Sequence, residues 1–215
     1  MIVTLFTLLL LAEAGMVMAD PPLIGLAGDK YRRAYIGIIE QLGGVGEQIS
    51  GAELEDLQAL RKYAAVVVVM HGDAGQETYG FSEAADAVVA EYVAGGGRVL
   101  CSFGCSPPKV VLGGLSNTQG WGRGPDWVVT DNSHPITAGM QLGQIVRYGA
   151  YRCRIAEIEP PGKMLLADIG DSTAVAAIPY GDGEVIQTNG DLGHGGADAT
   201  SDELRYRVML YLLYG

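Results

Sequence analysis

The chain has 215 residues, of which 48% are hydrophobic and 18% are charged, and its formal net charge is −11. This composition suits one folded α/β domain and excludes a disordered chain, which could not bury enough apolar surface. The acidic balance argues against nucleic-acid binding, because phosphates are bound by clustered Lys and Arg and no such cluster occurs.

The first 19 residues differ in kind from the rest. An apolar run from Ile2 to Ala12 is followed by small residues up to Ala19, the pattern of a cleaved secretory signal. The run is shorter than the roughly 20 apolar residues that span a bilayer, so no stable transmembrane span is predicted. We expect export to the periplasm or beyond, with a single domain over 20–215. If the segment is retained, the protein is cytoplasmic or assembles through it.

The segments that follow alternate between strand and helix patterns. The β-branched run Ala64–Met70 is typical of a strand buried on both faces, as in the centre of a parallel sheet. Alternation of this kind predicts a doubly wound, mostly parallel, flavodoxin-like sheet with helices on both faces. The predicted strands are "LIGLAG", "VGEQIS", "AAVVVVM" and "RVLCSF"; the helices are "DKYRRAYIGIIEQLGG", "GAELEDLQALRKY" with a capping box from Ser50 and Glu53, and "EAADAVVAEYVA" capped by Ser82.

The second half of the chain is less regular. Residues 113–124 are rich in glycine and amides and predict a long loop containing Trp121. The turn at 180–183, Tyr-Gly-Asp-Gly, predicts a hairpin, so that antiparallel strands extend the sheet. Thr200 and Glu203 predict a capping box for the C-terminal helix.

Three segments, in this order and spacing, resemble the class I glutamine amidotransferase-like superfamily, in particular its ThuA-like branch. They are "YAAVVVVMHGDAG" with "FSEAADAVVAEYVAGGGRVL", then "DWVVTDNSHPITAGM", and finally "GDGEVIQTNGDLGHGG" with "LRYRVMLYLL". The resemblance covers most of the chain from Leu23 to Tyr214. It implies a flavodoxin-like fold, and the ThuA-like branch, which is associated with sugar utilisation, implies a carbohydrate as the first ligand class to consider.

In the catalytic members of this superfamily a cysteine nucleophile lies on a sharp turn after the fourth strand, in a Gly-x-Cys-x-Gly pattern. The segment "RVLCSFGCSPP" aligned with this pattern has Phe103 at the nucleophile position. Cys101 falls two residues before it and Cys105 two residues after it. Pro108 disfavours a helix that starts at Cys105. The resemblance therefore implies the amidotransferase-like fold without its cysteine nucleophile. It favours a non-catalytic protein over an enzyme.

Five residues are candidates for a ligand site at the carboxyl ends of the strands, where open α/β sheets bind their ligands. His194, in "DLGHGG", matches the superfamily's Leu-Gly-His turn and is the strongest candidate. Trp121, with nearby amides, is typical of sugar stacking, although a buried anchor in the loop explains it equally well. The full set is His71, Asp73, Ser102, Trp121 and His194. His134, which precedes Pro135, predicts a rigid turn.

The cysteines leave a catalytic alternative open. A loop would expose Cys105, which could act as a nucleophile with His194. In a variant of this hypothesis, the nucleophile is Cys101 and its partner is a histidine such as His71. Cys153 is predicted to be structural, and in an oxidising compartment Cys101 could pair with Cys105 or with Cys153. No metal site and no cofactor are predicted, because no zinc-type spacing and no phosphate-binding glycine motif occur.

Three hypotheses follow for the function. The first is a degenerate amidotransferase-like domain that binds a small polar ligand, such as a carbohydrate, or a protein partner. The second is a cysteine-dependent hydrolase or amidotransferase-like enzyme that uses Cys105 or Cys101 with His194. The third is a structural protein that self-assembles through its N-terminal apolar segment. The sequence leaves homo-oligomer formation open.

Overall fold

The computed structural model describes residues 20–28, 32–69, 81–103, 105–113, 121–123, 126–149, 151–153, 155, 158–168, 172–194 and 198–215. The predicted signal segment, His71 and Asp73 lie outside the described residues. Within the described part of the chain, no helix is both long enough and apolar enough to cross a membrane.

The described residues form strands and helices in the alternating order that the sequence predicts. The strands are β1 Leu23–Ala27, β2 Val45–Gln48, β3 Ala65–Val69, β4 Arg98–Ser102, β5 Trp121–Arg123, β6 Trp127–Val129, β7 Ile145–Val146, β8 Tyr151–Cys153, β9 Lys163–Asp168, β10 Thr173–Tyr180 and β11 Gly183–Thr188. The helices are α1 Arg32–Gln41, α2 Gly51–Leu54, α3 Leu57–Leu60, α4 Glu83–Ala94 and α5 Ala199–Tyr214, with a short 3-10 helix at Leu192–His194.

One sheet organises the fold, in the strand order β2-β1-β3-β4-β11-β10-β9-β6-β7. The first five strands in that order are parallel to their neighbours. From β11 outward every pairing is antiparallel. The predicted α/β class and the antiparallel extension are confirmed, but the sheet as a whole is mixed, because the parallel ladder covers five of these nine strands.

Local sequence signals explain how the first half forms. The β3 strand is buried along its whole length, as its β-branched run predicts. The capping box of Ser50 and Glu53 is present, and Ser82 Oγ accepts the N–H of Ala85 at 3.1 Å. The segment predicted as one helix after Ser50 is two helices, because the Asp56 carboxylate accepts the N–H of Gln58 at 2.9 Å and starts a new one.

The cap of the C-terminal helix differs from the prediction. The N-cap of α5 is Asp198, whose carboxylate accepts the N–H of Thr200 at 2.8 Å. The reciprocal contact comes from Ser201, whose Oγ accepts the N–H of Asp198 at 3.3 Å. The predicted capping box of Thr200 and Glu203 is therefore wrong, because a carboxylate two residues earlier satisfies the free N–H groups first.

The predicted loop around Trp121 also requires a correction. Trp121–Arg123 forms β5, which pairs antiparallel with β8 in a separate two-stranded sheet. The partner strand lies about thirty residues further along the chain, so the composition of the loop itself carries no signal for the pairing.

Each face of the main sheet carries its own apolar core. Helices α1 and α5 cover one face together with residues 131–149, and α2, α3 and α4 cover the other together with residues 105–113. Fully buried side chains that fix this arrangement are Ile39, Leu204, Val208 and Leu212 on the first face, and Leu60, Val89, Val93 and Val99 on the second.

His134 joins three elements at the amino end of the parallel strands. Its Nδ1 accepts the N–H of Ile136 at 3.2 Å, so Nε2 carries the proton and donates to Glu184 Oε2 at 2.9 Å. The Tyr211 hydroxyl donates to the same oxygen at 2.7 Å. His134 thus links the 131–137 turn to β11 and α5, in keeping with the structural role predicted for it.

We expect His134→Ala to lower the free energy of unfolding by about 1–3 kcal/mol, since Ile136 N–H and Glu184 both lose a buried partner. The matched control is Leu142→Ala in the same region, where the side chain is 63% exposed. That variant should change stability by no more than about 0.5 kcal/mol. Urea unfolding of both variants checks the prediction, and equal stabilities would contradict it.

Candidate functional site

The chain turns sharply where β4 ends at the carboxyl edge of the parallel strands. Phe103, directly after Ser102, has φ +55°, and the N–H of Cys105 closes the turn on the Ser102 carbonyl at 3.3 Å. A left-handed conformation costs a residue other than glycine about 1–2 kcal/mol, so it persists only where the surroundings fix it. The Phe103 side chain is 7% exposed. The turn after β4 therefore has a strained, left-handed residue at its apex, and that residue is a buried phenylalanine.

The segment after this turn is not a regular helix. Residues 105–108 have no regular secondary structure, and the Pro108 carbonyl then accepts the N–H groups of Val111 at 2.9 Å and Leu112 at 3.3 Å in a turn. This confirms the expectation drawn from Pro108. In this described segment, therefore, no helix begins at Cys105.

The two cysteines on either side of Phe103 are buried. Cys101 and Cys105 are free thiols, both 0% exposed, and belong to the same core on the second face. The expectation that a loop exposes Cys105 is therefore wrong, because residues 105–113 fold back over the sheet. Burial, and then hydrogen bonding to Cys105, raise the pKa of Cys101 well above its ordinary value. Cys101 is thus held as a neutral thiol, the opposite of an activated nucleophile.

The histidines that would activate a cysteine are only partly described. The backbone of His194 ends the 3-10 helix, while its side chain, like that of Trp121 and all of His71, lies outside the described residues. His134, whose ring is described, is bonded to Glu184 at the opposite edge of the sheet. The pairing of Cys105 or Cys101 with His194 stays a prediction. In the described segments, no group of three or more His, Cys, Asp or Glu side chains could hold a metal ion.

A buried hydrogen-bond cluster lies beside the turn. The Tyr35 hydroxyl, from α1, donates to Asp191 Oδ1 at 2.8 Å and lies 2.9 Å from Ser102 Oγ. The N–H of Gly193 donates to the same Asp191 oxygen at 2.8 Å. Ser102, predicted from its place at the end of β4, is therefore part of a network rather than a free hydroxyl. Sequence reasoning did not single out Tyr35, because its position within a predicted helix carries no signal for a contact with a distant strand.

The chain between β11 and the 3-10 helix is fixed by close packing. Thr188 Oγ1 donates to the Gly190 carbonyl at 2.7 Å, and the Tyr148 hydroxyl donates to the Asp191 carbonyl at 2.9 Å. A Cβ on Gly190 would come within 2.3 Å of the Tyr148 ring, so only glycine allows this approach. The Tyr148 ring stacks on Trp127 at 4.2 Å. These contacts hold in place the backbone that leads to His194.

A separate cavity lies on the second face, towards the amino edge. Its volume is about 480 Å³, and it is bordered by the 110–113 turn, residues 158–162 and the end of β10. Tyr180 lies in its wall, far from Ser102 along the strand direction because it faces the start of β11. Because the cavity lies away from the carboxyl edge, a substitution in its wall can serve as a control for substitutions at that edge.

No family sequence model matches the chain, and no curated protein matches it in sequence. Solved structures match its fold. A protein from Bacteroides uniformis named as ThuA-like has a TM-score of 0.58 at 14% identity, covering 92% of this chain and 94% of that one. A Thermoplasma acidophilum protein named as part of a GMP synthase has a TM-score of 0.57 at 9% identity, covering 90% and 96%. Agd3, described as a novel carbohydrate deacetylase, has a TM-score of 0.60 at 17% identity, covering 91% of this chain and 32% of Agd3.

The chain has the fold of ThuA-like and glutamine amidotransferase-like proteins, as the sequence resemblance implies. At these identities the likeness establishes the fold.

Because the Tyr35 hydroxyl is buried, we expect the free energy of unfolding to fall at alkaline pH. Burial, and then the neighbouring Asp191, raise the pKa of Tyr35 well above its unfolded value of about 10. The contribution of such a tyrosine to the free energy of unfolding is fully present below about pH 10. It is lost as the pH rises further, because the unfolded chain then binds fewer protons than the folded chain. Tyr35→Phe should reduce the alkaline loss and, at neutral pH, lower the free energy of unfolding by about 1–3 kcal/mol.

Urea unfolding at several pH values measures both effects. Burial also raises the pKa of Tyr92 and of Tyr211 to about 12, so part of the alkaline loss should remain in Tyr35→Phe. Tyr214→Phe, an exposed change at the end of α5, is the control. Equal behaviour of the two variants would contradict the role assigned to Tyr35.

Proposed function

We propose that the protein is a non-catalytic binding domain on an amidotransferase-like scaffold, and that it takes a small polar ligand at the carboxyl edge of its parallel strands. The observation that carries this proposal is Phe103. The turn that would present a nucleophile keeps its left-handed backbone, but a phenylalanine occupies it. The neighbouring thiols of Cys101 and Cys105 are both inaccessible.

Burial of the thiols weighs against cysteine chemistry. A nucleophilic thiol must reach a substrate carbon and must ionise, and both requirements favour an exposed, electropositive setting. Cys101 is fully buried with a raised pKa, and Cys105 is fully buried without a helix N-terminus behind it. On this proposal, the fold provides the turn that such chemistry uses, but neither thiol beside the turn is accessible to a substrate.

The carboxyl edge is the best-supported place for a ligand. Ser102 and Asp191 lie at the ends of β4 and β11, two adjacent central strands, and ligands of open α/β sheets bind outside such ends. The segment with His71 and Asp73 follows β3, the other neighbour of β4, and His194 follows β11. Four of the five candidate residues, all except Trp121, thus lie at or after the carboxyl ends of β3, β4 and β11 in the chain.

A carbohydrate is the first ligand class to test. Trp121 provides an aromatic ring of the type that stacks on sugars. A neutral ligand also suits a chain of net charge −11, which would repel anions. Agd3, which shares the fold over about a third of its length, is described as a carbohydrate deacetylase.

Export belongs to the same proposal. We expect cleavage after Ala19 when the full chain is produced in a bacterium with its own N-terminus, because the segment has the pattern of a secretory signal. Cell fractionation followed by the intact mass of the protein in each fraction measures this directly. A full-length chain confined to the cytoplasmic fraction would contradict export, and a retained segment bound to a second chain would favour the assembly hypothesis instead.

Ligand binding is tested by calorimetric titration with neutral mono- and disaccharides. We expect one class to bind, with His194→Ala weakening the affinity at least about tenfold, or 1.4 kcal/mol. Tyr180→Phe, in the wall of the separate cavity, is the matched control and should bind as the unaltered protein does. Absence of binding by every sugar would contradict the carbohydrate assignment. Ester or amide hydrolysis that is lost in Cys105→Ser would contradict the non-catalytic proposal itself.

A further inference from the structure

Cys101 and Cys105 lie on either side of the turn after β4 and share one core. Both are fully buried on the second face. Interaction with Cys105 is, after burial, among the causes that raise the pKa of Cys101. The Cys105 thiol contacts the Ser106 carbonyl oxygen at 3.7 Å. The two side chains are therefore close to each other in the same buried core.

The backbone independently brings the two residues together. The Cys105 N–H closes a turn on the Ser102 carbonyl at 3.3 Å, which reverses the chain directly after Cys101 and Ser102. Gln187 lies opposite Cys101 in the register of β11 with β4, and its side-chain amide donates to the Cys105 carbonyl at 3.4 Å. Cys105 is thus fixed beside the strand position that holds Cys101.

We propose that Cys101 and Cys105 are a disulfide-forming pair that clamps this turn in an oxidising environment. A disulfide requires two sulfurs that can approach without large backbone movement, and the closed turn and the Gln187 contact hold the two residues close enough for that. The bond would tie the end of β4 to the segment that folds back over the sheet, and it would hold Phe103 in its left-handed conformation between the two sulfurs.

The oxidation is a thiol–disulfide exchange with a small-molecule disulfide such as oxidised glutathione. The two S–H groups lose their protons, an S–S bond forms between Cys101 and Cys105, and the two electrons reduce the small disulfide to two thiols. Because the thiolate is the attacking species, and Cys101 is held as a thiol, closure in the folded protein should be slow at neutral pH and faster as the pH rises.

Peptide mass mapping tests the pair directly. Trypsin cleaves after Arg98 and Lys109, so one peptide, Val99–Lys109, contains both cysteines and excludes Cys153. The full chain is refolded with oxidised glutathione, remaining thiols are alkylated with N-ethylmaleimide in denaturant, and the protein is digested. We expect this peptide to be unalkylated and two hydrogen atoms lighter than its reduced form. Cys153 should be alkylated. A reductant should restore alkylation of the peptide and lower the Tm.

Two variants serve as controls. Cys153→Ser should leave the light peptide unchanged, and Cys105→Ser should remove it and leave Cys101 free for alkylation. The mapping of the unaltered chain decides the question even if Cys105→Ser fails to fold. Full alkylation of both cysteines after oxidative refolding would overturn the proposal, as would a disulfide that joins either of them to Cys153.

Discussion

The buried carboxyl group of Asp191 constrains the carboxyl edge of the sheet. A carboxyl group out of contact with water needs donors from the protein, and the Tyr35 hydroxyl and the Gly193 N–H supply them to one oxygen. These donors come from α1 and from the chain after β11, and Tyr35 also contacts Ser102 at the end of β4. Helix, central strand and the backbone leading to His194 are therefore positioned by one set of hydrogen bonds.

The turn after β4 keeps a strained backbone without a reactive side chain at its apex. Its left-handed residue is strained and its closing hydrogen bond is intact, yet Phe103 supplies no reactive atom. A strained turn persists where the surrounding structure over-determines it, and here the Ser102 network on one side and the cysteine core on the other do so. The backbone of this turn is therefore fixed from both sides.

Much of the fold was predictable because its signals are local. The β-branched run of β3, the caps at Ser50 and Ser82 and the hairpin between β10 and β11 each depend on residues close in sequence. The pairing of β5 with β8 and the burial of Cys105 depend on distant segments, and composition does not encode such contacts. The same limit applies to the site: Ser102 was predicted from its strand end, but its partner Tyr35 lies 67 residues away and matched an apolar helix position.

Thiol labelling of the native, reduced protein tests the central claim most directly. Iodoacetamide is added over a range from about pH 5 to about pH 9, which spans ordinary and activated thiols, and each cysteine is followed by mass spectrometry. The account predicts that Cys101 and Cys105 stay unlabelled until the protein is denatured, because both are fully buried in the core of the second face. Rapid labelling of either residue at the acidic end would reveal an activated nucleophile and would contradict the proposed non-catalytic function.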